Sequence, residues 1–348
     1  MKALVWTPND RLEMQEVEEP QIKKMNDVKV KIYGTGICGT DLNVLKGKMH
    51  ATHNMILGHE SVGVVTETGP EVKNVKPGDR VVIDPTQFCG KCYYCRKGLT
   101  CYCETFEDWQ LGLGAHGTFA DYYVGEDRFM YKIPDNMEWE RATLIEPLSC
   151  VLNVIERAAI KPDDSVLVLG SGPIGLLVQM MVKKLARLTV ATEIGEYRSE
   201  AARRISDYVY HPQDLTADEV RRINQGRTFD VIFDAIGNQL DWAYRLIDKG
   251  GRLVPMGFDD TYEMKIRPFQ LLSNGVTIVG TGEARQIMED AVSCAADMPQ
   301  LSELITEKTP LENYEAAIQE LMGIDPLSNE RKDIAAVKTI LVSHPDMI

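Results

Sequence analysis

Apolar positions change their pattern part way along the chain. Up to about residue 148 they come in short runs between turn residues: Lys2-Ala-Leu-Val-Trp6, Val28-Lys-Val-Lys-Ile32, Ser61-Val-Gly-Val-Val65 and Arg80-Val-Val-Ile83, with Lys76-Pro-Gly-Asp79 ahead of the last. Such β-branched runs predict strands, and the Pro-Gly pair predicts a turn. From about 150 the runs become continuous and lie a helix-length apart: Ser165-Val-Leu-Val-Leu169, Leu188-Thr-Val-Ala-Thr192, Asp230-Val-Ile-Phe233, Gly251-Arg-Leu-Val-Pro255 and Val276-Thr-Ile-Val279. A parallel sheet covered on both faces needs strands of this kind. After about 285 the pattern is helical until Val337-Lys-Thr-Ile-Leu-Val342, a strand with no evident neighbour in the second region. The expected fold is α/β, with a β-rich domain over 1–148, a doubly wound parallel-sheet domain over 149–285, and 286–348 returning to the first.

Length changes this picture little, since 348 residues suit two domains. A net charge of -14 argues for small-molecule partners and against nucleic acid or anionic lipid. The longest apolar run, Val166 to Val182, raises a membrane question, but its Gly-Ser-Gly-Pro interruption fits strand, turn and helix better than one span. The opening Met1-Lys-Ala-Leu-Val-Trp-Thr-Pro lacks the pattern of a secretory signal. A reducing, cytoplasmic setting with free thiols is therefore expected.

Cysteine spacing supplies the first chemistry. Cys89, Cys92, Cys95 and Cys103 form C-x2-C-x2-C-x7-C within a lobe at 86–104, enough thiolates for one tetrahedral metal without a distant partner. Structural zinc is the reading. An iron–sulfur cluster is the alternative donor chemistry, though its usual spacings differ, and Cys101 is a spare that could stand in for Cys103.

Gly170-Ser-Gly172-Pro173-Ile174-Gly175 follows an apolar strand directly and opens the helical segment Leu176 to Leu185. The first glycine allows the turn, the second lets backbone approach a pyrophosphate, and the third lets helix pack on strand. Glu193 ends the next strand, where a carboxylate accepts from both ribose hydroxyls and repels a 2′-phosphate, so NAD is expected rather than NADP. Arg198, five residues on, works against that preference.

A second metal set is spread through the first domain. Cys38 in Gly36-Ile-Cys38-Gly-Thr40-Asp41, His59 and Glu60 in Gly58-His59-Glu60, and Glu146 in Ile145-Glu-Pro-Leu-Ser-Cys150 offer three or four ligands and leave room for a substrate oxygen. That openness distinguishes a catalytic zinc from a structural one.

These motifs, with Val75-Lys-Pro-Gly-Asp-Arg-Val81, Gly117-Thr-Phe-Ala-Asp-Tyr122 and Gly250-Gly-Arg-Leu-Val254, appear in an order that resembles the zinc-dependent medium-chain alcohol dehydrogenase superfamily. Glu60 and Glu146-Pro-Leu resemble its sorbitol, threonine and sugar-alcohol branch. The resemblance implies a GroES-like catalytic domain, a Rossmann cofactor domain and two zinc ions per chain. It implies Cys38, His59 and Glu60 around the catalytic zinc, with Glu146 ligating it or holding its water. Backbone at Ile236-Gly237, Met256-Gly257 and Val279-Gly280 is implied to line the nicotinamide half of the cofactor site. The implied activity is reversible oxidation of a secondary hydroxyl on a polyol, sugar or cyclitol-like molecule, with hydride passing to NAD. Thr40 would be the first proton relay. Relatives often carry histidine where this chain has Asn43, so the outward end of the relay differs, and His50 and His53 are candidates for it. Pairing through the strand Val276 to Val279 implies a homodimer or homotetramer. The rival readings are an amino-alcohol dehydrogenase of the threonine type and a non-catalytic zinc-stabilised binding protein.

Overall fold

A computed structural model describes residues 1–259, 261–324 and 332–347. The chain divides into two compact units, one of residues 1–150, 283–330 and 338–348, the other of 151–282 and 331–337. No described helix is long and apolar enough to cross a membrane.

The first unit is built on a seven-stranded sheet. Its path runs Ile305–Pro310, Lys338–Val342, Asp27–Gly36, Glu60–Thr68, Arg80–Ile83, Met130–Lys132, and Tyr122–Glu126 also pairs with Asp27–Gly36. Val28, Val30 and Ile32 alternate with lysines along the central strand and pack with Val65, Val81, Ile83 and Tyr123 in one core. A hairpin of Lys2–Thr7 and Arg11–Glu16 stands apart from this sheet. The late strand Lys338–Val342 does return to this unit, antiparallel to Asp27–Gly36. Its register pairs Ile340 with Gly36, and Gly36 pairs in turn with Glu60 on the other side. The tail is not helical throughout, because Ile305–Pro310 forms a parallel strand beside Lys338–Val342. Ile305-Thr-Glu-Lys-Thr-Pro is too polar to show as a core strand, which fits its place at the sheet edge.

The second unit holds a six-stranded sheet in the order Tyr208–Tyr210, Leu188–Thr192, Ser165–Leu169, Phe229–Asp234, Ile247–Pro255, Thr277–Ile278. Every pairing is parallel. Leu167, Val190, Phe229, Ile232 and Leu253 bury one face of it. The strand order reverses beside Ser165–Leu169, so a crevice opens at the carboxyl ends of that strand and Phe229–Asp234, the place where such sheets bind nucleotides. Tyr208–Tyr210 is the strand that hydrophobic runs do not reveal, being only three residues long.

Candidate functional site

In the first unit, Cys38 closes the strand Asp27–Gly36 and stands at the N-cap of the helix Gly39–Leu45. His59 immediately precedes the strand Glu60–Thr68, and Glu60 is its first residue. Antiparallel pairing of Gly36 with Glu60 therefore brings two sequence-distant motifs side by side. One ligand atom from each of Cys38, His59 and Glu60 lies within 4.8 Å of the others. Glu146 falls outside that set; it sits in the first turn of the helix Ile145–Ala158, its Oε1 3.9 Å from Cys150 Sγ.

Acids dominate this cluster. Burial and the neighbouring Glu60 carboxylate push the Cys38 thiol up to about 12, against the pull of Lys338. Burial, then Glu60, raises Glu146 well above the usual carboxylate range. Burial lowers His59, but the carboxylates of Asp41, Glu146 and Glu60 outweigh it and leave the imidazole raised. A thiol, an imidazole and carboxylates crowded out of water disfavour their own negative charge, and a divalent cation is what such a donor set accommodates. The residues fit zinc.

Asp41 and Lys338 complete the surroundings. Asp41 accepts from the backbone N–H of Cys38 at 2.9 Å and of Gly58 at 3.3 Å, and its Oδ1 lies 3.8 Å from His59 Nδ1. It thus ties the Cys38 turn to the His59 loop. Lys338 donates to the Ile37 carbonyl at 2.8 Å and pairs with Glu60. Thr40 Oγ1 is 3.6 Å from Cys38 Sγ. Of the outer relay candidates, His50 is exposed, and His53 is held by Asp10 at 2.9 Å and stacked beside Trp6.

The four-cysteine lobe forms a separate centre. Sulfurs of Cys89, Cys92, Cys95 and Cys103 lie within 4.8 Å of one another, with 4.0 Å between Cys89 and Cys95 and between Cys92 and Cys103. Ligands about 2.3 Å from a tetrahedral zinc stand roughly 3.8 Å apart, so this spacing suits the metal. Cys92 caps the short helix Tyr93–Arg96, and the turn Thr100–Tyr102 delivers Cys103 to the set while Cys101 stays outside it. Burial raises the Cys103 thiol, but the Cys89 N–H and Thr105 outweigh that and bring it down to about 6. Cys103 is thereby poised as a thiolate ligand.

In the second unit, Gly170 sits at φ +88° and a Cβ on Gly175 would meet the Gly170 carbonyl oxygen at 2.1 Å, so strand and helix touch through these residues. The helix begins at Pro173, three residues before the apolar pattern suggests, with Ile174 in its first turn. Glu193 accepts from Ser171 N at 2.8 Å, Ile194 N at 2.8 Å and Gly195 N at 3.0 Å, bridging the glycine loop to the next strand end. Arg198 lies beside Gly172, its Nη1 3.7 Å from where a Cβ would stand, and its Nε donates to Ala336 O at 3.1 Å. Asp234 secures the loop beyond its strand by accepting from Ile236 N at 3.0 Å and Gly237 N at 2.9 Å. Met256 N and Gly257 N donate to the Asp234 carbonyl, each at 2.9 Å, which brings the two loops together. Val279 N donates to Leu253 O at 2.8 Å, and Gly280 follows it off the sheet.

Comparisons with known proteins agree with this geometry. Residues 24–135 match the family model described as the alcohol dehydrogenase GroES-like domain, and residues 173–305 match the zinc-binding dehydrogenase model. D-xylulose reductase A of Aspergillus oryzae is 30% identical, covering 87% of this chain and 88% of that protein. D-arabinitol dehydrogenase 1 of Uromyces fabae is 28% identical over 85% and 87% of the two. The crystal structure of 2R,3R-butanediol dehydrogenase from Bacillus subtilis superposes with a TM-score of 0.86 at 26% identity, over 98% and 99% of the chains. The chain belongs to the zinc-dependent medium-chain alcohol dehydrogenase family. It is an oxidoreductase, and its GroES-like and Rossmann architecture is that of the family.

Proposed function

We propose that the protein oxidises a secondary hydroxyl of a polyol, sugar or cyclitol, reversibly and with NAD as hydride acceptor. The single observation that carries this reading is the convergence of Cys38, His59 and Glu60 on one point beside a Thr40 hydroxyl. Relatives named for xylulose and arabinitol support the substrate class.

Cys38, His59 and Glu60 would hold the catalytic zinc, with Glu146 next to them as a further ligand or as the holder of a water. When bound, zinc supplies Lewis-acid polarisation of the substrate hydroxyl. Thr40 accepts the hydroxyl proton and passes it outward, since a hydroxyl is both acceptor and donor. Asn43 cannot take up and release a proton near neutral pH, so the onward path runs through water or the cofactor ribose. The loop Gly170 to Gly175 receives the pyrophosphate, Glu193 the adenosine ribose, and the loops at Ile236-Gly237, Met256-Gly257 and Val279-Gly280 the nicotinamide. Cys89, Cys92, Cys95 and Cys103 would hold a second, structural zinc. In this reading the unit centred on residues 1–148 is catalytic and 149–285 binds the cofactor.

A homodimer or homotetramer is part of the proposal. The edge strand Thr277–Ile278 pairs on one side only, Ile278 is 37% exposed, and the preceding helix Pro268–Asn274 exposes Phe269 and Leu272. A second copy adding to that edge covers both features. A cytoplasmic setting suits a chain whose eight cysteines stand as free thiols.

The test is NADH formation by the zinc-loaded protein with a panel of polyols, cyclitols and simple alcohols. Turnover of polyols or cyclitols supports the reading, and no turnover of any secondary alcohol overturns it.

A further inference from the structure

Besides the residues assigned above, the cluster contains a carboxylate that hydride transfer does not use. The helix Ile145–Ala158 presents Glu146, Cys150, Asn153 and Arg157 at intervals of four, three and four residues, which is one helical face. Along it, Arg157 Nε donates to Gly280 O at 3.1 Å and Asn153 Nδ2 to Thr281 O at 3.3 Å. The segment from Gly280 therefore runs back along the helix toward its first turn. Glu283 follows, partly buried, and its carboxyl acts electrostatically on both Cys150 and His59. Burial holds that carboxyl above its ordinary range, with His59 opposing.

The charge of the cluster points to what Glu283 meets. Asp41 faces His59, and Lys338 pairs with Glu60. A divalent metal balances the Cys38 thiolate and one further carboxylate, for which Glu146 is at hand. Among the described residues, His59 and Lys338 are the cations that act on these acids. Adding Glu283 leaves the region anionic, and a buried anionic site favours a cationic group on its ligand.

We propose that Glu283 receives a protonated amine on the substrate, so that amino-substituted polyols or cyclitols are oxidised in preference to their neutral counterparts. The proposal rests on the alcohol dehydrogenase reading of the Cys38, His59 and Glu60 site. In the reaction the carbinol C–H bond breaks, its hydride reduces NAD⁺ to NADH, the hydroxyl proton leaves through Thr40, and a C=O forms. The neighbouring ammonium stays protonated and unreacted, held by Glu283 through a charge-assisted hydrogen bond.

The experiment compares matched pairs, 2-amino-2-deoxyglucitol against sorbitol and an aminocyclitol against myo-inositol, using the full zinc-loaded chain with NAD. The wild type should favour the amino member in kcat/KM by at least about tenfold. Glu283→Gln should remove most of that ratio through KM, leave kcat within about twofold and leave the neutral member unchanged, while Glu283→Asp retains part of the preference. A wild-type ratio of one or less overturns the proposal while the alcohol dehydrogenase reading stands, and it decides the matter even where a variant fails to fold. An unchanged ratio in a folded Glu283→Gln also overturns it. No turnover of either member of any pair, or of any secondary alcohol, overturns both.

Discussion

Lys338 and Glu60 form an ion pair in which each side chain is only 2% exposed. They come from opposite ends of the chain and meet across Gly36, where a Cβ would stand 2.3 Å from Glu60 Oε2 and 2.8 Å from Lys338 Cε. Glycine is needed there because the pair fills the space. Breaking a buried pair by removing one partner leaves the other charge uncompensated and costs about 3–5 kcal/mol. Lys338→Met should therefore unfold at lower temperature than wild type without metal, and zinc should stabilise the variant more than the wild type. Thermal unfolding with and without zinc checks this; equal metal-free stability would show that the lysine charge is not what holds Glu60.

Asp41 binds two backbone N–H groups and faces the His59 ring, so it fixes the positions of two ligands without being one itself. Asp41→Asn should weaken zinc binding at the catalytic set by about 10- to 100-fold and leave the four-cysteine zinc in place. Chelator competition with metal analysis reads both. Loss of both ions together would mean that Asp41 supports the fold of the whole unit.

Glu193 is positioned by three backbone donors from the glycine loop and its own turn. It should both receive the ribose and shape the loop. Wild type is expected to show higher kcat/KM with NAD than with NADP. Glu193→Ser should narrow that gap while also raising KM for NAD, because the loop loses its bridge. Equal efficiency with the two cofactors in the wild type would place the control with Arg198 instead.

Asp84 ends the run of buried residues after the strand Arg80–Ile83, 5% exposed, with its Oδ1 accepting from Thr86 N at 2.8 Å. Burial holds its carboxyl up to about 7, the Thr86 N–H opposing. An unfolded aspartate titrates near 3.9, so the folded state binds the proton more tightly. The contribution to stability is complete below about pH 4 and is lost as pH rises to about 7, at no more than about 1.4 kcal/mol per pH unit. Relative to wild type, Asp84→Asn should become progressively more stable across that window in denaturant titrations. Parallel profiles for the two proteins would contradict the shift.

Local patterns carried much of this architecture and little of the long-range wiring. The five continuous apolar runs became parallel strands because a strand buried on both faces has no polar positions to hide it, whereas Tyr208–Tyr210 was too short and Ile305–Pro310 too polar to show. Cys38, His59 and Glu60 were legible as ligands from residue type and flanking glycines, and the cysteine lobe from spacing alone. Asp41 carried a weak signal, a carboxylate three residues after an N-cap position, as in a capping box. Lys338 and Glu283 carried none, since a lysine opening a strand and a glutamate in a loop acquire meaning only when sheet register and helix packing bring them to the cluster.

The most direct test of the central claim separates the two metal centres by function. Zinc content, NAD-linked polyol oxidation and circular dichroism are measured together on wild type, Cys38→Ser and Cys92→Ser. The account predicts two zinc ions per wild-type chain, a folded Cys38→Ser that keeps one zinc and loses turnover, and a Cys92→Ser that loses one zinc and folds or assembles poorly. A Cys38→Ser protein that retains wild-type turnover, or that unfolds as badly as Cys92→Ser, would contradict it.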